Sequence, residues 1–352
     1  MPRREVSVSS RTSYPIRKRQ QGLALVTVML VIALCVVLAA EMTTAQSYQI
    51  KRAQNLFERQ QAFWYAMGSE HFVKALLEDT AEKDQGMFNL SQPWAMTGMS
   101  FPVDNGLIEG EVEDLYACFN LNSLYDKDIA EQELKFRKEV FVRYLENLNI
   151  ESEFSPDDLA ANLYDWLDAD DYPEGAVGYD GDMYTSLPFP YLSGNTPLAH
   201  ENELRVIYGF DVVVMTQLKD KFCVIPGNQH LMLNVNTMKQ EQPELLMAVL
   251  NIDQSKVDEI FSERTEEGFE TIDEFWNLNA TKGLNNRAQV EKYFTVNSKF
   301  FKLITNAYYN DLKFALTSVI QLNDQSQAMV IARRFGGEIE REANPEDEQP
   351  DK

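Results

Sequence analysis

The chain has 352 residues, 44% of them hydrophobic, and a formal net charge of −23, so it is long enough for more than one domain and apolar enough for a sizeable core. The charge is polarised: residues 1–22 hold six basic residues and one acid, and what remains carries 26 basic against 54 acidic residues, a balance of −28. Such a surface repels nucleic acid and anionic lipid and suits hard cations or basic partners.

The first element is a junction. Arg17-Lys18-Arg19-Gln20-Gln21-Gly22 runs into residues 23–40, which carry no charge. A run of that length can just cross a hydrocarbon core, and the basic residues before it (Arg3, Arg4, Arg11, Arg17, Lys18, Arg19) hold the start of the chain in the cytoplasm and send the bulk across. A secretory signal cut near Ala39-Ala40-Glu41 and an uncut signal anchor are two accounts of the segment. A third is cleavage on the cytoplasmic side, after Gly22. Basic residues, Gly22 and then an apolar helix opening Leu23-Ala24-Leu25-Val26-Thr27 resemble a type IV prepilin leader, which implies cutting by prepilin peptidase and a mature start at Leu23.

No glycine or proline interrupts residues 23–67, and Ile50, Ala53, Phe57, Trp64 and Met67 recur at roughly helical spacing. The spacing predicts one helix from Leu23 to about residue 80, on the order of 85 Å long, apolar in its first half and packed on a sheet through its second. Residues 80–105, with Gln92-Pro93-Trp94 and Phe101-Pro102, read as a loop. Residues 106–121 alternate weakly, as a short hairpin would. Cys118 and Cys223 are the two cysteines outside the apolar helix that holds Cys35, and in an oxidising compartment they are expected to bridge.

A helical stretch follows. Phe136, Val140, Tyr144 and Leu148 fall four apart. Ser155-Pro156-Asp157-Asp158 starts a helix that buries Leu159, Leu163, Trp166 and Leu167. Gln242-Pro243 leads into Leu245, Leu246, Val249 and Leu250, and Thr271-Ile272-Asp273-Glu274 has the pattern of a capping box. Strand signals return at residues 294–297, 300–309, 312–320 and 329–333, with Asn310-Asp311 as a turn. The organisation expected is a leader (1–22), a long helix (23–80), an α/β domain formed by 81–122 and 291–337, an inserted α-helical domain (123–290), and a charged, disordered tail (338–352).

Several strings taken together, Phe119-Asn120-Leu121-Asn122, Asp165-Trp166-Leu167-Asp168-Ala169-Asp170, Leu187-Pro188-Phe189-Pro190-Tyr191, Glu203-Leu204-Arg205, Leu233-Asn234-Val235-Asn236-Thr237 and Phe294-Thr295-Val296, resemble the general secretion pathway protein K family, minor pseudopilins of bacterial type II secretion. The resemblance implies an α+β, type IV pilin-like fold, a long N-terminal helix on an antiparallel sheet, with a large inserted α-helical domain. It also implies a single-pass protein of the inner membrane with its C-terminal domain in the periplasm, and I- and J-type minor pseudopilins as partners at the pseudopilus tip. Most pilins carry glutamate at the fifth mature position; here that position is Thr27, as in the K subfamily. Leu23 also departs from the usual phenylalanine start, where N-methylation is expected.

The acidic stretch Asp168, Asp170, Asp171, Glu174, Asp180 and Asp182 offers oxygen ligands among flexible glycines, the donor set calcium favours, and the resemblance implies calcium in the helical insertion. A solvated acidic loop is the alternative. Residues 233–278 look like a helix-hairpin-helix unit, the basis of a DNA-uptake alternative, but the hairpin is Asn251-Ile252-Asp253 without glycine, and Asp258, Glu259, Glu263, Glu266 and Glu267 follow. No nucleic acid partner is expected. For catalysis, His71, His200 and His230 stand in unrelated contexts and no nucleophile or phosphate-loop motif occurs. That leaves a carboxylate-based hydrolase as the remaining enzyme alternative, and a non-enzymatic protein as the expectation.

Overall fold

The computed structural model describes residues 21–96, 98–173 and 178–336. The tail expected at 338–352 and the basic part of the leader lie outside the described residues. The first helix, α1, spans Gln21–Lys83, and the chain divides into two compact units after Phe57. In the first unit, the large apolar side chains from Leu23 to Leu38 are more than half exposed. Among the described residues, α1 is the helix long and apolar enough to cross a membrane.

In the second unit an antiparallel sheet is ordered β1-β2-β7-β8-β9, built from β1 (Met99–Val103), β2 (Gly106–Asp114), β7 (Phe300–Tyr309), β8 (Leu312–Leu322) and β9 (Ala328–Phe335). The intervening chain adds two short parallel pairs, β3 (Phe119–Asn120) with β4 (Phe222–Cys223) and β5 (Leu233–Asn234) with β6 (Phe294–Thr295). Between them lie the helices α2 (Glu131–Leu148), α3 (Pro156–Leu167), α4 (Asp182–Thr185), α5 (Val212–Gln217), α6 (Glu244–Leu250), α7 (Gln254–Glu263), α8 (Ile272–Asn277) and α9 (Arg287–Val290).

The stretch expected to be loop up to residue 105 contains β1. Pro102 and the surrounding Gly and Ser residues hide it, and an edge strand tolerates the proline because one side of its ladder faces no neighbour. The hairpin therefore turns earlier, at Asp104-Asn105, where Asn105 takes φ +54°. Gly106 is obligatory at its exit, since a Cβ there would fall 2.1 Å from the Tyr308 carbonyl oxygen.

The buried face of α1 differs from the expected stripe. Ile50, Phe57 and Trp64 are exposed, whereas Ala62, Ala66, Val73, Leu77 and Ala81 are buried. Alanines let the helix approach the sheet closely but give a weak hydrophobic signal. Amid this face Glu70 is buried, its carboxylate gripped by two Arg333 nitrogens at 2.7 Å each and by the Ser318 hydroxyl at 2.6 Å. Burial pushes this carboxyl's pKa up, but the hydrogen bonds from Arg333 and Ser318 outweigh it and hold it below the usual range. Towards the helix end, Phe88, Trp94 and Phe301 pack edge and tilt with centroids 4.7–5.8 Å apart beside Leu77, Leu303 and Ile320. The helical insertion has its own larger core around Phe141, Tyr144, Leu163 and Leu246.

The α3 start carries a complete capping box between Ser155 and Asp158. The one expected at Thr271 does not form: Thr271 makes no cap bond, and Glu274 instead accepts the Glu270 N–H at 3.0 Å.

Where the chain leaves and rejoins the sheet, buried asparagines make the connections. Asn120 donates to the carbonyls of Asn228 and His230 and accepts from the N–H groups of Asn122 and Ile225. Asn234 donates to the Phe88 carbonyl, to Ser298 and to Asp114. Asp114, at the end of β2, also accepts from Thr237, Ser298 and the Tyr116 N–H. Burial pushes its carboxyl up to about 6, against the pull of these donors. Beside this knot, Cys118 and Cys223 are joined, with Cα atoms 5.9 Å apart.

Candidate metal centre

Helix α3 delivers Asp168 as its C-cap, the Asp168 N–H closing on the Tyr164 carbonyl. The chain then turns through Asp170, whose carboxylate takes the Tyr172 N–H at 2.9 Å, and returns at Asp180 just before α4. Ligand oxygens of Asp168, Asp170 and Asp180 lie within 4.8 Å of one another. Two oxygens on one calcium ion, each at 2.3–2.6 Å from it, stand up to about 5 Å apart, so the spacing fits.

Two further observations bear on a cation. Asp168 is only 7% and Asp180 only 1% exposed, and Asp168 Oδ1 and Asp180 Oδ2 are buried with no hydrogen-bond partner among the described residues. Burial, then the charges of Asp170, Asp165 and Asp180, pushes the Asp168 carboxyl up to about 7. Carboxylates placed this way repel unless a cation or a proton sits among them. An all-oxygen donor set of this kind suits a hard cation over a transition metal.

Of the six acids singled out in the sequence, these three converge. Asp171 turns away and accepts from Asn195 Nδ2 at 2.8 Å. Glu174 and the side chain of Asp182 lie outside the described atoms. Asp165 was missed as a neighbour because it reads as a helix-interior residue, yet it is fully buried next to the cluster.

The helix-hairpin-helix region is α6 and α7. Its hairpin consumes its own amides: the Ile252 N–H bonds to Met247 and the Lys256 N–H to the Asp253 carboxylate. Asp258, Glu259, Glu263, Glu266 and Glu267 are exposed beyond it. Phosphate would meet acids there, not free donors.

The family described as "Type II secretion system (T2SS), protein K" matches residues 117–227 and, in a second segment, 233–297. A type II secretion system protein K from Pectobacterium carotovorum subsp. carotovorum is 30% identical over 327 residues, covering 92% of this chain and 98% of that one. The chain belongs to the type II secretion system protein K family. A relative from Klebsiella pneumoniae, also 30% identical, covers 90% of this chain and 97% of its own length. Among solved structures, the GspK-GspI-GspJ complex of the enterotoxigenic Escherichia coli type 2 secretion system superposes with TM-score 0.73 at 25% identity, covering 81% of this chain and 99% of that chain. The long helix on an antiparallel sheet is thus the pilin-like α+β fold expected of protein K. The quoted sequence strings fall inside the two matched segments, and the structure gives several of them a physical role: Asn120, Asn234 and Thr237 tie the junction, and Asp168 and Asp170 form the acidic cluster.

Proposed function

We propose that the chain is a minor pseudopilin that occupies the tip of the periplasmic pseudopilus beside I- and J-type subunits, as a structural component with no catalytic role, and supports export of folded proteins. The observation that carries this is Thr27 on the apolar part of α1. Its hydroxyl is satisfied within its own helix, by the Ala24 carbonyl at 3.0 Å and the Leu23 carbonyl at 3.2 Å, so it asks nothing of a neighbour. A glutamate at that place in lipid would require a partner charge, which the pilin pattern supplies from the amine of the subunit above. The first subunit has none above it, so a neutral, self-satisfied residue suits the tip. An insertion of this bulk in every subunit would also crowd a packed filament. One copy per filament is expected; recovery in amounts equal to the major pseudopilin would overturn the tip position.

The same reading makes α1 the inner-membrane anchor, with the C-terminal domain in the periplasm, and prepilin peptidase a partner. Mass spectrometry is expected to find Leu23 as the first residue of the membrane-extracted protein, and Gly22→Asp to retain the basic leader. A mature start near Glu41 would refute this.

Calcium is the cofactor the acidic cluster suits. Asp168, Asp170 and Asp180 would hold it, and it would supply charge that offsets their repulsion. A ligand bound only by the folded chain stabilises by about 2.7 kcal/mol at a hundred times its Kd. Chelation should therefore lower the melting temperature, and Asp168→Asn should remove most of that difference. Equal melting with calcium and with chelator leaves the solvated-loop account.

A further inference from the structure

Beside the acidic cluster, residues 186–195 run without helix or strand across the side of α3. Leu187, at its start, packs half-buried against the core of the insertion, the Tyr191 N–H reaches the Tyr184 carbonyl at 3.5 Å, and three further attachments hold this strap. The Tyr191 hydroxyl donates to the Val206 carbonyl at 2.7 Å, and its ring lies 5.2 Å from that of the fully buried Tyr184. Gly194 passes so near Trp166 that a Cβ would come within 2.7 Å of the indole Nε1. Finally, Asn195 Nδ2 donates to the Asp170 carbonyl at 2.9 Å and to the Asp171 carboxylate at 2.8 Å.

Both acceptors of Asn195 belong to the loop that carries Asp170, a member of the three-carboxylate cluster. The end of the strap is thus fastened to a piece of backbone whose position depends on three carboxylates staying close together. Phe189 and Leu192, 87% and 77% exposed, contribute no buried anchor of their own, so beyond the half-buried Leu187 little besides these attachments resists lifting of the strap.

We infer that cation binding at Asp168, Asp170 and Asp180 latches residues 186–195 through Asn195, so that the outline of the helical insertion around Phe189 and Leu192 is set by calcium. This rests on the calcium reading above. With the ion bound, the Asp170-Asp171 backbone is fixed and offers Asn195 both acceptors together. Without it the carboxylates separate, the two hydrogen bonds are lost together, and the strap lifts from Trp166.

The test is hydrogen exchange measured by mass spectrometry on the full chain in detergent, in calcium chloride and in chelator, with calorimetry of calcium binding on the same samples. The expected result is calcium binding together with at least tenfold faster exchange of residues 187–195 in chelator. Asn195→Ala should still bind calcium and show the fast exchange even when calcium is present. Calcium binding with unchanged exchange of the strap overturns the latch and leaves the calcium site standing. Slow exchange in calcium-loaded Asn195→Ala overturns the role of Asn195. Loss of calcium binding in that variant makes Asn195 part of the ion site and overturns a separate latch. Absence of binding to the native chain overturns both the latch and the calcium reading.

Discussion

Replacing Cys118 and Cys223 together by alanine is expected to lower folding stability by about 4 kcal/mol. The bridge joins residues 105 apart, and in the chain-entropy account a loop of about a hundred residues removes about 4.7 kcal/mol of denatured-state freedom; measured losses for native bridges run about 2–5 kcal/mol. The position argues for a value towards the top of that range. Cys223 belongs to β4 and pairs in register with Asn120 of β3, so without the bridge that register would rest on a two-residue ladder and the side-chain bonds of Asn120 and Asn122 to Ile225. Denaturant unfolding of oxidised wild type and the double variant measures the difference. One reactive thiol, from the exposed Cys35, is expected per denatured, unreduced chain; three would refute the bridge.

The second large effect is expected at Arg333. Its side chain is 41% exposed while that of Glu70 is 1% exposed, so the two partners are not equivalent. Arg333→Ala leaves a carboxylate inside the helix–sheet interface with only Ser318 to hold it. Breaking a buried pair from one side costs about 3–5 kcal/mol, and the partial exposure of Arg333 places this case near 3 kcal/mol. Adding Glu70→Gln should recover at least half of the loss, since the cost is that of the stranded charge. Because Glu70 titrates below its ordinary range when folded, its contribution is present above the ordinary glutamate pKa and fades as pH falls through the lowered one. Arg333→Ala should abolish that acid-side dependence. Equal losses for Arg333→Ala alone and with Glu70→Gln would show that packing, not charge, is responsible.

Glu70 also shows where sequence reading stops. The existence of α1, the β7 to β9 meander and its Asn310-Asp311 turn were legible because each has a long period or a specific turn pair. The buried face of α1 was not, because before Val73 and Leu77, towards the apolar segment, it relies on alanines and on a glutamate whose partner lies 263 residues away. The strand signal at residues 294–297 holds β6, but β3, β4 and β5 have two residues each and so no period to detect, and neither parallel pairing was legible. The acidic cluster was visible as composition, but its membership was not: Asp170 and Asp171 are adjacent, and only the backbone turn decides that one faces Asp168 and Asp180 while the other meets Asn195. Asp114 gave no signal at all, since a single aspartate at the end of a strand acquires its four donors only when residues 116, 234, 237 and 298 come together.

That same knot bears on mechanical load. The chain leaves the sheet at Asp114 and re-enters it at Phe300, two residues after Ser298, and the side chains of Asp114 and Ser298 are hydrogen bonded to each other and to Asn234. Tension or compression applied to the helical insertion therefore does not travel along two loose connectors that could stretch independently. It arrives at neighbouring ends of β2 and β7, strands already paired side by side over nine residues, with a covalent cross-link beside them. A thrust on the insertion is shared between adjacent strands at one end of the sheet and passed into it as shear across many hydrogen bonds at once, a geometry that resists peeling far better than a pull on one edge strand.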